Sequence, residues 1–300
     1  MLLLLGLIGC ACNPNLPLDD DVEPPDSDTG TETDTTTTEP EPPCAFPESE
    51  PNDTPAEADE VLAEERACGV IDDGDPADVF RVELDDDGWI EVEVEGDGGS
   101  VADVAFTFQG TGVAVAAKNT LESSDAWRVF AVPAGTYTLS VSEENGRGGP
   151  QYSYRALVSE VKPPAEWDSV EAEPNDSFAY AIPLTNGQVV LGQISDGGEN
   201  DEDWFRIAVP AGRHDVHVRV DAQELGSGAD TAVRVYEQDG AGVQLVERIT
   251  DGGTGGSQPD PDGVYASLGD EVLWFEVSQQ TEKAASIDRW YVLTVALEAR

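Results

Sequence analysis

The chain has 300 residues, with 15 Lys and Arg against 62 Asp and Glu and a formal net charge of −47. A field of that sign repels phosphate backbones and anionic bilayers, which excludes nucleic acid as a partner and leaves membrane contact only to an anchor. It draws cations, suits a saline medium that screens self-repulsion, and equally suits a merely well-solvated surface; composition leaves these three readings open.

The chain opens MLLLLGLIGCAC, where the apolar run 2–9 is far shorter than the roughly 20 residues of a membrane-spanning helix. A short apolar stretch ending in small residues is the pattern of an export signal, although no Lys or Arg precedes it. Leu7-Ile8-Gly9-Cys10 resembles the bacterial lipobox. That resemblance implies removal of residues 1–9, a lipid on Cys10, and an exported chain anchored to the bacterial outer membrane or cell surface. Ala11 after it fits outer-membrane sorting, and a cytosolic chain with a greasy N-terminus is the alternative.

With Cys10 lipidated, Cys12, Cys44 and Cys68 remain for an oxidising compartment. Cys44 and Cys68 both flank folded sequence, and a bridge between them would close about 25 residues and contribute about 3 kcal/mol on the chain-entropy account. A Cys12 to Cys44 bridge, or none, stays open because connectivity is not readable from sequence. Residues 13–43 carry ten acids and no base, with the tract TGTETDTTTTEPEPP. They hold too little apolar surface to offset ordering entropy, so 10–43 reads as a disordered, extended tether.

From residue 44 the pattern changes to short alternating runs. In WIEVEVE, residues 89–95, Ile90, Val92 and Val94 share one face while Glu91, Glu93 and Glu95 share the other. Strands are expected at 68–71, 79–84, 89–95, 103–108, 113–117, 127–132, 136–142 and 152–159, separated by Gly, Asp and Pro turns. The prolines of VKPPAEWDSV place a linker at 161–170. The series then restarts at 189–194, 203–209, 213–220, 231–236, 243–249, 271–278 and 289–297, with 251–263 as a mobile acidic loop. The expected fold is all-β: two tandem antiparallel sandwiches, 44–160 and 171–300, their acids outward.

The two halves repeat. ESEPNDT at 48–54 returns as EAEPNDS at 171–177, DVFRVEL at 78–84 as DWFRIAV at 203–209, and PAGTYTLSVS at 133–142 stands where LGDEVLWFEVS stands at 268–278. Alternation puts Glu48 and Glu50 on one side, with Asn52 and Asp53 brought in by a turn after Pro51; Glu171, Glu173, Asn175 and Asp176 follow the same geometry. Asp78 and Asp203 stand at matching places downstream, with Asp75 and Asn200 three residues before them. Clustered carboxylates repel unless a cation sits between them, and calcium takes six to eight oxygens, whereas magnesium tolerates such flexible sets poorly. A solvated Pro-Asn-Asp turn explains one copy; the recurrence of every polar position favours calcium.

Glu-x-Glu-Pro-Asn-Asp, a following Ala-rich stretch, Asp-x-Phe and a late Pro-Ala-Gly-Thr-Tyr-x-Leu-x-Val resemble the bacterial pre-peptidase C-terminal domain, related to the collagen-binding domains of clostridial collagenases. The resemblance covers 48–160 and 171–298 and implies jelly-roll-like sandwiches holding calcium at one edge. The Gly-Thr-Tyr segment is lost from the second copy, and Asn200 in place of Asp75 makes its cage less charged.

Enzymatic machinery is not legible: there is no His-Glu-x-x-His and no Gly-x-Ser-x-Gly, and only two histidines occur. His214 and His217 are spaced to opposite sides of a strand, so they read as surface and strand-end residues rather than a metal pair. Trp89, Trp127, Tyr137, Tyr152, Trp204 and Trp290 fit either core packing or an exposed ligand stripe. The expected function is a non-catalytic surface lipoprotein with two calcium-stabilised modules for adhesion, binding or display. The alternative is a carbohydrate- or protein-fibre-binding accessory of a secreted hydrolase system.

Overall fold

The computed structural model describes residues 44–118, 126–194, 201–250, 260–280 and 286–300, all within one compact unit, Pro43–Arg300. The leader 1–9, the tether with Cys10 and Cys12, Asn200, and loop residues 251–259 lie outside the described residues. The all-β expectation holds: among the described residues every regular element is a strand except one 3-10 turn, Gln223–Leu225. No helix of these residues is long and apolar enough to cross a membrane.

The first half contains β1 (Phe46–Pro47), β2 (Asp59–Leu62), β3 (Ala67–Val70), β4 (Asp78–Leu84), β5 (Gly88–Gly96), β6 (Val104–Gly110), β7 (Val113–Lys118), β8 (Ala126–Val132), β9 (Gly135–Glu143) and β10 (Ser153–Val161). They form two five-stranded sheets, β1-β3-β10-β5-β8 and β2-β4-β9-β6-β7. Alternation decides what they bury. Ile90, Val92 and Val94 of β5 enter a core shared with Val104, Phe106 and Phe108 of β6, from the other sheet. Each such side chain contributes roughly 1.5–3 kcal/mol of burial.

The second half contains β11 (Ser169–Val170), β12 (Ile182–Leu184), β13 (Gln188–Gln193), β14 (Glu202–Asp221), β15 (Thr231–Asp239), β16 (Gly242–Thr250), β17 (Asp262–Gln279) and β18 (Trp290–Ala299). Here all eight strands belong to one sheet, β11-β13-β18-β14-β17-β15-β16, with β12 on β14. β14 takes the places of both β4 and β5, and β17 those of β8 and β9.

This continuity corrects the separate strands expected at 203–209 and 213–220: the residues between them are absorbed by a register shift between Ala211 and His214. It also corrects the loop expected through 263, because Asp262 and Gly263 already belong to β17. Asp260 is buried rather than solvated, and its carboxylate accepts the N–H groups of Ala222, Gln223 and Glu224 at 2.8, 3.0 and 3.1 Å. β1, β2, β11 and β12 were not anticipated, since two to four residues are too few to show alternation. The connection is shorter than 161–170, because β10 runs to Val161 and β11 begins at Ser169.

The halves meet through an apolar junction. Trp89, Trp127 and Val129 pack with Trp290, Val292, Val189 and Leu191. The Trp89 and Trp290 rings meet edge to face at 5.1 Å, and Trp290 Nε1 donates to the Val129 carbonyl at 2.7 Å. Val129 N in turn donates to the Gly226 carbonyl at 2.9 Å, and Arg128 pairs with the buried Asp288 at 3.3 Å.

Candidate metal centres

Each acidic segment is laid along a sheet edge by backbone pairing. β1 runs parallel to β3 and β11 parallel to β13, and the chain continues so that Glu48 N donates to Cys68 O at 3.0 Å and Glu171 N to Leu191 O at 2.9 Å. In the first half the expected Cys44–Cys68 disulfide is formed, with Cα atoms 5.9 Å apart. The Glu50–Pro51 and Glu173–Pro174 bonds are both cis. Beyond them the turns dock on the next strand: Asn52 O accepts Val79 N at 2.9 Å and Asn175 O accepts Trp204 N at 3.1 Å. That brings each turn against the first residues of β4 and β14, where Asp78 and Asp203 point to one place in the repeat, opposite Val141 and Val277.

Three carboxylate groups result, each with ligand oxygens within 4.8 Å of one another: Glu48, Glu50 and Asp78; Glu50, Asp53 and Asp75; and Glu171, Glu173 and Asp203. Glu50 belongs to two of them. Asn52 and Asp78 are both fully buried, and neither the amide atoms of Asn52 nor the carboxylate oxygens of Asp78 have a hydrogen-bond partner. Buried polar atoms are normally satisfied, so these four atoms mark a position suited to something else. The other ligands are held by donors. Glu48 accepts Val70 N at 2.6 Å and the Tyr154 hydroxyl at 2.9 Å. Glu171 accepts Gln193 N at 2.5 Å and the Tyr291 hydroxyl at 3.2 Å, and Tyr291 also donates to Asp203 at 2.6 Å.

Asn175 is buried in the same cluster, and its amide can be assigned either way round. With its nitrogen toward Glu171 at 3.4 Å, its oxygen faces Asp203 and Glu173, an all-oxygen contact that a cation would stabilise. Turned over, its nitrogen donates to Asp203 at 3.3 Å and to Glu173 at 3.0 and 3.1 Å.

Electrostatics agree with the geometry. Burial pushes the Asp78 carboxyl up to about 9, with Glu48 adding repulsion, and Asp203 up to about 10, with Glu171 adding to it. Glu171 rises to about 7 through burial and the nearby Glu173. Among the described residues no Lys, Arg or His is ion-paired with any member of the three groups. Left alone, Asp78 and Asp203 hold protons at neutral pH; a divalent ion would hold them ionised instead. The donors are all oxygens, the set that suits a hard cation such as calcium rather than a thiolate- or imidazole-seeking metal.

Of the expected ligands, Glu48, Glu50, Asp53, Asp75, Asp78, Glu171, Glu173 and Asp203 therefore come together, with Asn52 and Asn175 beside them. Asp176 is exposed and stays out of the described carboxylate group, unlike Asp53; its counterpart to Asp75, Asn200, lies outside the described residues. Sequence reasoning missed Tyr154 and Tyr291, and also the glycines opposite them, Gly69 and Gly192. A Cβ on Gly69 would lie 2.1 Å from Glu48 Oε2, and one on Gly192 would lie 2.2 Å from Tyr291 Cζ. The signal was present, since Gly and Tyr recur at matching places in both halves, but neither is itself an anionic ligand.

The two histidines fall on opposite sides of β14 as their spacing predicts: His214 shares the inward parity of Val216 and is 8% exposed, with Nδ1 2.8 Å from Gly212 O. His217 points outward, 3.4 Å from Glu298. The tryptophans divide: Trp89, Trp127 and Trp290 fill the junction, whereas Trp204 lies on an outer sheet face.

No protein-family model and no curated protein sequence matches the chain. Among solved structures it is similar to the pre-peptidase C-terminal domain of a Bacillus anthracis collagenase, at 20% identity and a TM-score of 0.29, over 34% of this chain and 95% of that one. It is also similar to the tandem CBM22 domains of Paenibacillus barcinonensis Xyn10C, at 12% identity and a TM-score of 0.22, over 77% and 85% of the two chains. A third is the CUB1-EGF-CUB2 segment of human MASP-1/3, at 10% identity and a TM-score of 0.20, over 75% and 94%.

Proposed function

We propose that this chain is a non-catalytic bacterial surface lipoprotein, anchored through Cys10, whose two β-sandwich halves are stabilised by calcium and serve adhesion, binding or display. The observation that carries the reading is the duplicated burial of Asp78 and Asp203 among other carboxylates with no ion-paired base among the described residues. Glu48, Glu50, Asn52 and Asp78 would hold one ion, and Glu50 would share a second with Asp53 and Asp75. Glu171, Glu173, Asn175 and Asp203 would hold the ion of the second half. Calcium supplies charge neutralisation and fixes the entering segments; no step of bond chemistry is assigned to it.

Metal analysis of the purified whole protein, followed by thermal melting with calcium and with EGTA, tests the reading. Bound calcium and a lower melting temperature on chelation are expected. A metal-free protein whose melting is indifferent to both additions would overturn it. Lipid attachment is read separately, by mass spectrometry of the cellular form against Cys10→Ser.

A further inference from the structure

The repeat provides an internal control for the outer face of the second half. In the first half, the outward positions across β4, β9, β6 and β7 read Val79, Ser140, Thr107, Ala116 in one row and Arg81, Thr138, Gln109, Ala114 in the next. The same rows across β14, β17, β15 and β16 read Trp204, Glu276, Arg234, Arg248 and then Arg206, Trp274, Tyr236, Leu245. On the acidic segment that leads to this face, Phe178 and Tyr180 take the places of Pro55 and Glu57. Trp204, Trp274, Tyr236 and Phe178, the last packed on Trp204, thus put four aromatic residues on one face where the sister copy has none. The sandwich core does not require them, because its residues, such as Phe205, Val235 and Phe275, lie on the opposite side of the same strands.

The face carries three arginines, Arg206, Arg234 and Arg248, against two carboxylates, Glu276 and Glu202. Trp204 and Trp274 are 7% and 9% exposed and their Nε1 groups are buried without a partner. Glu276 is taken up by Arg234 and by the Tyr236 hydroxyl. Arg206 and Arg248 are exposed, with no ion-pair partner among the described residues. A cavity of about 150 Å³ continues the face, lined by Arg234, Arg248, Thr250, Gln279 and Gln280, and the Gln279 amide has no partner there. On the same face Leu245 is 41% exposed, and Phe178, packed on Trp204 at 6.3 Å, is 38% exposed.

We propose that this outer face of the second half binds a carboxylated polysaccharide, a uronate residue placing its carboxylate among Arg234, Arg248 and Gln279 while neighbouring sugars lie on the aromatic rim. Guanidinium groups match carboxylates with paired N–H donors, and aromatic rings match the flat C–H faces of pyranoses. Charge complementarity selects an anionic chain here, although the protein carries 62 acids. An acidic peptide fits less well, because its backbone N–H groups would meet a face whose one central carboxylate is already engaged.

The inference rests on the binding-module reading of the chain and not on calcium. It is tested on the whole protein at fixed calcium by titration with oligogalacturonate too short to gel, followed by tryptophan fluorescence. Xylo-oligosaccharide and oligoglutamate serve as the neutral and peptide arms. Saturable binding of the uronate alone is expected, weakened about tenfold or more in Arg248→Gln and in Phe178→Ala with melting unchanged. Both side chains are exposed, so neither change removes core packing. No saturation with the uronate, equal binding of either other arm, or wild-type affinity in both variants overturns the proposal. A calcium response retained in the same preparation shows that only this face, and not the metal reading, has failed.

Discussion

The hydroxyl of Tyr291, on the last strand, donates at 2.6 Å to Asp203, near the start of β14. One side chain therefore ties the most buried carboxylate of the second cluster to the end of the chain, and it also reaches Glu171 at 3.2 Å. Tyr291→Phe removes that donor while keeping the ring. Loss of about 1–3 kcal/mol is expected by chemical denaturation, the range for a buried acceptor deprived of its partner. Calcium affinity of the second half falls with it, because Glu171 loses its second donor; an unchanged affinity would detach Tyr291 from the site.

Asp78→Asn and Asp203→Asn each remove one buried anion and nearly preserve volume. Asp203→Asn is expected to abolish the calcium response of the second half, whereas Asp78→Asn removes the ion held with Glu48 and Glu50 and leaves the one shared by Glu50, Asp53 and Asp75; neither change touches the other half. At a free ion concentration a hundredfold above the dissociation constant, the lost stabilisation is about 2.7 kcal/mol per site. Calorimetric titration of the two variants and the double variant checks the count; retention of full stoichiometry in either would place the ion elsewhere.

Acidity provides a third measurement. The Asp203 carboxyl is raised to about 10 by burial, against about 3.9 for a free aspartate. Between those values the folded chain holds a proton that the unfolded chain has released, so metal-free stability falls as pH rises through this window. Asp78, raised to about 9, acts in the same direction. With calcium present the ion takes the place of the protons, and binding strengthens as pH rises. Melting curves with EGTA and with calcium should therefore diverge from pH 5 to pH 9, whereas parallel curves would show that these carboxyls are not ligands.

Gly69→Ala and Gly192→Ala test how closely the side chains approach β3 and β13. The added methyl meets Glu48 in one case and the Tyr291 ring in the other, with no room for either to stay. Overpacking of this kind typically costs 1–3 kcal/mol. Each substitution should weaken the calcium response of its own half first, as read by melting with and without EGTA. Equal loss in both conditions would reduce the glycines to packing.

Much of this was legible in the sequence, and the limits have physical causes. Period-2 runs such as WIEVEVE announce a half-buried strand because alternation is what a sheet face imposes. The convergence of Glu48, Glu50 and Asp78 could be anticipated from their recurrence as Glu171, Glu173 and Asp203. The sharing of Glu50 by two groups could not, because it depends on how the turn after Pro51 folds back toward Asp75. Gly212 and Pro210 read as a break in the chain, yet β14 runs on through them because β17 supplies a partner along its length. Asp260 looked like loop chemistry; only the fold brings the three N–H groups of residues 222–224 to it.

Trp290→Ala tests the junction. It removes a ring packed on Trp89 and the donor to Val129 O. Loss of about 3–5 kcal/mol is expected for a large buried aromatic, and the single unfolding transition should divide into two. A single transition, merely shifted, would mean that the halves depend on each other through contacts other than this one.

The same junction determines how far such a pairing can propagate. Where the second half offers Trp290 and Val292 to its neighbour, the first carries Ser153 and Arg155, the latter ion-paired to Glu95 and Asp97 at 3.4 and 3.3 Å. Where the first half receives with Trp89 and Trp127, the second carries Asp215 and Asp262, beside an exposed Val264. At both positions the outer face of the pair thus carries charged side chains where the junction carries tryptophans, so the described residues do not offer the same head-to-tail contact a second time.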